Sequence, residues 1–129
     1  MRRSGEVKRF LGKVIGEEKR ILDDLVFIFT GDKEMIQINR KFLSHDYYTD
    51  VISFDYGEGK NLSGEIYISC DTVKRNAGLY NVSYTEEIIR VMIHGILHLC
   101  GYSDDKEERR KKMMDRQEEW LERFVGGKW

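Results

Sequence analysis

Hydrophobic positions recur along the 129-residue chain with two periods, one typical of helices and one typical of strands. Near the start, an apolar stripe at helical spacing predicts an amphipathic helix over residues 5–20. Its apolar members are Val7, Phe10, Leu11, Val14 and Ile15. A β-rich apolar run predicts a buried strand over 25–30, and similar runs predict strands over 51–54 and 66–69. Turn-forming residues at 56–61 predict a hairpin connection between the last two strands.

Start and stop signals predict helices in the remaining segments. A short helix is expected after Gly31 and Asp32, with its apolar side formed by Met35, Ile38 and Phe42. Asp71 is expected to cap a third helix that ends near Ala77.

The fourth helix has the clearest start, because Ser83 and Glu86 fit a capping box. Residues 88–100 are apolar on nearly every side, which indicates a central, buried helix, and Gly101 is expected to end it. A last helix is predicted from about Asp105 to Phe124. Its inner stripe consists of Met113, Gln117, Trp120, Leu121 and Phe124.

Together these elements predict an α+β fold. A small mixed β-sheet of three to four strands would pack against about five helices, and residues 1–129 would form a single domain.

Composition excludes several classes of protein. No apolar run approaches the roughly 20 residues that span a bilayer, so no membrane partner is expected. A net charge of −1 argues against nucleic-acid binding through overall charge. The two cysteines are too few for a disulfide framework, and no leader segment is visible, so a cytoplasmic location is expected.

The candidate chemistry lies on the fourth helix, where His94 and His98 are four residues apart. Four residues is about one helical turn, so both imidazoles leave the same face and can converge on one divalent ion. Asp104 follows beyond the glycine turn and is the expected third ligand. Two histidines and one carboxylate form a known catalytic zinc set with an open position for water. The sequence therefore predicts one metal site, His94, His98 and Asp104, with Zn²⁺ or another divalent ion bound.

Other residues near this site have competing interpretations. Ser103 and Asp105 compete with Asp104 for the third place, although Asp105 also suits the N-cap of the last helix. Cys100 is a further ligand candidate, or simply a buried thiol. Gly95 stands where zinc proteases carry the glutamate that activates water, so ordinary metalloproteolysis is not expected.

The stretch 94–104 closely resembles the signature H-G-x-L-H-L-x-G-Y-D-H of the YbeY family. The matching positions are His94, Gly95, Leu97, His98, Leu99, Gly101 and Tyr102. A second family element, an asparagine followed at ten residues by T-D-V-L-S-F, resembles Asn39 followed by residues 49–54. A third, G-D-I-x-I-S, resembles residues 64–69, and the whole likeness spans about residues 20–125.

This resemblance implies a zinc-dependent, single-strand endoribonuclease of the cytoplasm. It would act in ribosomal RNA maturation, notably of the small-subunit RNA, and in ribosome quality control, with RNA and the ribosome or ribosomal proteins as partners. Two positions depart from the family. Asp104 replaces its usual third histidine ligand, and Leu43 replaces an arginine, with Arg40, Lys41 and His45 nearby but not equivalent.

Three functional hypotheses follow. The first is the metal-dependent endoribonuclease, in which Asp50 and Glu65 are candidates for the general base or for outer contacts to the metal ligands. The favoured alternative for both residues is a purely structural role at a strand edge or in a turn. The alternative is a non-catalytic, zinc-containing ribosome assembly factor, whose structural zinc would need a fourth protein ligand such as Cys100. The ligand set also suits ferrous oxygenases, but the absence of a barrel-like run of strands argues against them.

Overall fold

A computed structural model of the chain describes residues 4–43 and 49–129. These residues form five α-helices and three strands, in the order α1 (Ser4–Glu17), β1 (Ile21–Thr30), α2 (Asp32–Ile38), β2 (Val51–Asp55), β3 (Asn61–Ser69), α3 (Cys70–Tyr80), α4 (Tyr84–Leu99) and α5 (Glu107–Gly126). A π-helical segment, Asn39–Leu43, continues directly from α2. The predicted α+β class is confirmed.

The three strands form one mixed sheet in the order β1-β3-β2. β1 runs parallel to β3, whereas β2 runs antiparallel to it, with Val51 opposite Ile68 and Asp55 opposite Gly64. The turn between β2 and β3 is thus the hairpin that the sequence predicts. One face of β3 is buried at every second residue: Leu62, Gly64, Ile66 and Ile68.

Helix α4 packs on this buried face and is the central helix of the fold. The Ser83 hydroxyl accepts the backbone N–H of Glu86 at 3.0 Å, which confirms the predicted cap. Gly101, with φ +104°, reverses the chain after the helix as expected. Residues of α1 and α5 cover the other sides of α4 and complete the core with the buried rings of Phe10, Trp120 and Phe124.

Several predicted boundaries are wrong. α1 ends at Glu17 because Lys19, with φ +64°, turns the chain into β1. β1 begins at Ile21 rather than Leu25, since pairing with β3 extends the strand beyond its apolar run. α3 continues to Tyr80, where the left-handed Asn81 ends it.

Two predicted caps are also wrong. α3 is capped by Ser69, whose hydroxyl accepts the Thr72 N–H at 3.2 Å, while the Asp71 carboxylate instead accepts the backbone N–H of Asp32. α5 begins after Lys106 without a side-chain cap. The Asp105 side chain instead contacts Ser103 and Arg109.

Among the helices of the described ranges, none combines the length and the apolar character needed to cross a bilayer.

Candidate active site

A cavity of about 590 Å³ opens between α4, α5 and the edge strand β2. The predicted ligands His94, His98 and Asp104 all lie on its wall. The remaining lining residues that matter for the chemistry are Asn39, Leu43, Asp50, Glu87, Arg90 and Gln117.

The two histidine rings lie side by side on α4, as their spacing predicts. Their centroids are 6.1 Å apart and the ring planes differ by 20°. His94 is half-buried and His98 is exposed to the cavity mouth. Because both rings face one cavity, a single small ion could contact both of them.

Hydrogen bonds indicate which nitrogen of each ring carries the proton. The backbone carbonyl of Tyr102 lies 3.1 Å from His98 Nδ1, and the side-chain oxygen of Gln117 lies 2.8 Å from His94 Nδ1. A carbonyl oxygen only accepts, so each Nδ1 carries the proton. Each Nε2 therefore keeps its lone pair, which is the usual arrangement for histidines that bind metals.

The segment between α4 and α5 carries the three candidates for the third ligand, and their surroundings differ. Asp104 is exposed on the cavity wall. Asp105 accepts a hydrogen bond from Ser103 at 2.7 Å and forms an ion pair with Arg109 at 3.0 Å, and neither Ser103 nor Asp105 lines the cavity. Of the three candidates, Asp104 is thus the one that shares the cavity wall with the histidines.

The donor set suits a divalent ion in kind, with two unprotonated imidazole nitrogens and a carboxylate. Within residues 4–43 and 49–129, however, no group of three or more His, Cys, Asp or Glu side chains is close enough together to hold an ion. The two imidazoles are in place, and the Asp104 carboxylate shares their cavity without completing a coordination sphere.

Cys100 does not line the cavity, although it lies two residues beyond His98. Burial raises the pKa of its thiol to about 11. This pKa does not decide metal binding, because a coordinated ion deprotonates a thiol, but the position of Cys100 outside the cavity wall does separate it from the histidines. The fourth ligand that a structural zinc site would need is thus not supplied by Cys100.

The two candidate bases differ in position. Asp50 lines the cavity just before β2, and burial raises the pKa of its carboxyl, an effect that the nearby His94 opposes. Glu65 lies on the opposite face of the sheet, where its carboxylate accepts the hydroxyl of Tyr56 at 2.7 Å. Asp50 is therefore close to the histidines, whereas Glu65 is not.

Sequence reasoning missed a polar cluster behind His94. The apolar pattern predicts Gln117 only as a member of the inner stripe of α5, yet its side-chain amide contacts both His94 and Glu118. Arg90 lines the cavity and pairs with Glu87 and Glu118. One signal was present, since Gln117 is the polar member of an otherwise apolar stripe, and buried polar groups need partners.

Leu43, which replaces the arginine usual in the resembling family, ends the π-helical segment on the cavity wall. Arg40 and Lys41 precede it in that segment, whereas His45 lies outside the described residues. Asn39, from the second resembling element, is 1% exposed and also lines the cavity.

Fold and cavity together describe an α+β protein with a pair of histidines on its central helix, in a cavity that is also lined by acidic side chains. A family model described as "Endoribonuclease YbeY" matches residues 4–125. Endoribonuclease YbeY of Chlorobium phaeobacteroides is 46% identical over 112 residues, which are 87% of this chain and 79% of that protein. Endoribonuclease YbeY of Christiangramia forsetii is 44% identical over 119 residues, 92% and 82% of the two chains.

A solved structure shares the fold. The solution structure of TM1509 from Thermotoga maritima aligns with a TM-score of 0.69 at 32% identity and covers 95% of this chain and 81% of that one. The chain belongs to the YbeY family of endoribonucleases.

Proposed function

We propose that this endoribonuclease depends on one divalent metal ion, Zn²⁺ in the first instance, held by His94, His98 and Asp104. The observation that carries the proposal is the pair of stacked imidazoles, each with Nδ1–H bonded to an oxygen and Nε2 left unprotonated on the cavity wall. When bound, such an ion polarises a phosphodiester oxygen and increases the acidity of a coordinated water.

Side chains of the protein would supply the proton transfer. Asp50 is the proposed proton acceptor, because its half-buried carboxylate lines the same cavity and partial desolvation raises its pKa. A base whose pKa lies closer to neutrality is better matched to proton transfer at the working pH. Arg90 also lines the cavity, but Glu87 and Glu118 neutralise it, so it is assigned no contact with phosphate.

The proposed substrate is single-stranded RNA. The biological role that we propose is maturation of ribosomal RNA, notably that of the small subunit, together with ribosome quality control in the cytoplasm. The partners would then be the ribosome or ribosomal proteins. Membership of the endoribonuclease family supports an RNA substrate. The ribosomal role, the partners and the location are proposed from the resemblance described in the sequence analysis.

The test combines metal analysis with cleavage of a labelled single-stranded RNA. Wild-type protein should cleave, lose activity on chelation and recover it with added Zn²⁺, and an RNA duplex of the same sequence should resist. Asp104→Ala should lose both the metal and cleavage, while Asp104→His should keep both. Full cleavage by metal-free wild-type protein would exclude the proposal.

The role of Asp50 has a matched control in Glu65. Asp50→Asn should reduce the cleavage rate by about 10²–10⁴-fold with the metal retained, as expected for loss of a general base. Glu65→Gln makes the same chemical change outside the cavity and should leave the rate within a few-fold of wild type. Equal effects of the two substitutions would refute the assignment of Asp50.

A further inference from the structure

We propose that Gln117 is a positioning residue for His94, and that it fixes the tautomer of the ring through a relay that begins at Arg90. The relay runs from Arg90 on α4 to Glu118 and Gln117 on α5, and back to His94 on α4. The inference rests on the metal site proposed above for its functional meaning, but the hydrogen bonds that form the relay lie within the protein and do not depend on a bound ion.

The first step of the relay fixes the Glu118 carboxylate. Arg90 Nε lies 3.1 Å from Glu118 Oε2, and Arg90 Nη2 lies 3.2 Å from Glu118 Oε1. Two parallel N–H donors on one carboxylate set its orientation as well as its position. Arg90 is itself held in place by an ion pair with Glu87, a side chain that is 2% exposed.

The second step fixes the Gln117 amide. Gln117 Nε2 donates to Glu118 Oε2 at 3.1 Å. In the opposite orientation, the amide oxygen would face an ionised carboxylate, and two acceptors would meet without a proton between them. The amide therefore points its nitrogen toward Glu118 and its oxygen toward the histidine.

The third step fixes the ring. Because Gln117 offers His94 an oxygen at 2.8 Å, the Nδ1 of His94 must carry the proton. The Nε2 of His94 is then left unprotonated, and the ring is held in one rotation by the bond. Gln117 is 6% exposed, so water competes little for this contact.

The relay gives His94 a support that differs from that of His98. His98 Nδ1 bonds a backbone carbonyl, which no side-chain substitution removes, whereas the support of His94 depends on side chains from α5. Partners of this kind orient metal ligands, and their loss typically costs about 10–100-fold in metal affinity. Loss of Gln117 should therefore affect His94 and leave His98 unchanged.

The test is ¹⁵N NMR of the histidine rings in metal-free protein at pH 8, where unperturbed imidazoles are neutral. Signals are assigned with His→Gln variants. In wild type, His94 should show a protonated Nδ1 and an unprotonated Nε2. Gln117→Met, which keeps the size of the side chain but removes the acceptor, should populate the Nε2–H form.

Two further variants separate the relay from simple packing. Gln117→Glu keeps an acceptor and should retain the Nδ1–H tautomer. Glu118→Gln weakens the ion pair with Arg90, frees the amide to turn over and should give a mixture of the two tautomers. Glu119→Gln makes the same change one residue along the helix, on a side chain paired with Arg116, and should match wild type.

Zn²⁺ affinity by chelator competition provides the second measurement. Gln117→Met should bind about 10–100-fold more weakly than wild type, and Gln117→Glu within a few-fold of it. A wild-type His94 protonated at Nε2, or an unchanged tautomer in Gln117→Met, would overturn the proposal. If the tautomers behave as expected but wild-type protein binds no Zn²⁺, the relay stands and the proposed metal site fails.

Discussion

Gly95, between the two histidines, lies where α4 packs tightly against the sheet, and replacing it with alanine tests how tight this packing is. A Cβ at residue 95 would lie 2.8 Å from Ile66 Cγ2 and 3.1 Å from Ile66 Cδ1. Ile66 is on the central strand β3 and is fully buried, and its Cγ2 sits on a branched Cβ that cannot swing aside. The added methyl group must therefore push the helix or the strand.

Two opposing effects set the size of the change. Alanine stabilises a helix interior relative to glycine by about 1 kcal/mol. Forcing a methyl group into a packed core costs about 1–3 kcal/mol. The net expectation for Gly95→Ala is thus a loss of free energy of unfolding of roughly 0–2 kcal/mol, the difference between these two ranges.

Gly12 provides a matched control, because a Cβ there meets nothing within 4 Å and the residue also lies inside a helix, α1. Gly12→Ala should gain about 0.5–1 kcal/mol from propensity alone. The difference between the two variants isolates the packing cost. Urea denaturation followed by circular dichroism measures both free energies.

A double-mutant cycle with Ile66→Ala identifies the partner. Ile66→Ala alone should cost about 2–5 kcal/mol, but in its background Gly95→Ala should become neutral or stabilising, since the blocking atoms are gone. The reasoning is refuted if Gly95→Ala stabilises as much as Gly12→Ala, or if the cycle shows no coupling.

Three further predictions concern stability. Ser83→Ala removes the cap of α4 and should cost about 1 kcal/mol in urea denaturation. Glu18→Gln should lower the free energy of unfolding by about 2 kcal/mol at pH 7. Burial opposes ionisation of Glu18, but hydrogen bonds from Trp120 and two other side chains prevail and lower its pKa. The difference in stability between the variant and wild type should therefore shrink as the pH falls below 4.5. Burial likewise opposes ionisation of Asp32, yet hydrogen bonds from Arg75 and two hydroxyls lower its pKa to about 2. Above pH 4 that carboxylate should contribute about 2 kcal/mol, lost between pH 4 and pH 2, and Asp32→Asn should flatten the acid-unfolding curve in this window.

The parts of the fold that the sequence predicts correctly are those governed by local physics. The stripe of α1 and the Ser83 cap of α4 depend on residues three or four positions apart, and both are confirmed. The prediction misses the first half of β1 because that part of the strand depends on contacts with residues distant in sequence. Asp23 and Asp24 have no strand signal of their own and lie in a register irregularity between Leu22 and Leu25. The strand reaches back to Ile21 because Ile21 and Leu22 pair with β3, which is distant in sequence.

In the candidate site, too, the contacts within one helix could be predicted from sequence and those between segments could not. Helical spacing suffices to bring His94 and His98 together, because both are on one element. Gln117 could not be assigned to His94 from sequence, since its contact depends on how α5 packs against α4. The third ligand position is harder still, because the segment that carries Asp104 has no repeating pattern from which its direction could be predicted.

Gly95 shows why the base should come from outside α4. From sequence alone, the residue indicates only the absence of the glutamate that zinc proteases carry after their first histidine. The structure supplies a physical reason, because this position is pressed against Ile66 and faces the sheet rather than the cavity. A glutamate there would bury its carboxylate in the core, at a cost of several kcal/mol. The proton acceptor proposed above lies on another segment: Asp50, just before β2, is half-buried on the cavity wall and interacts electrostatically with His94.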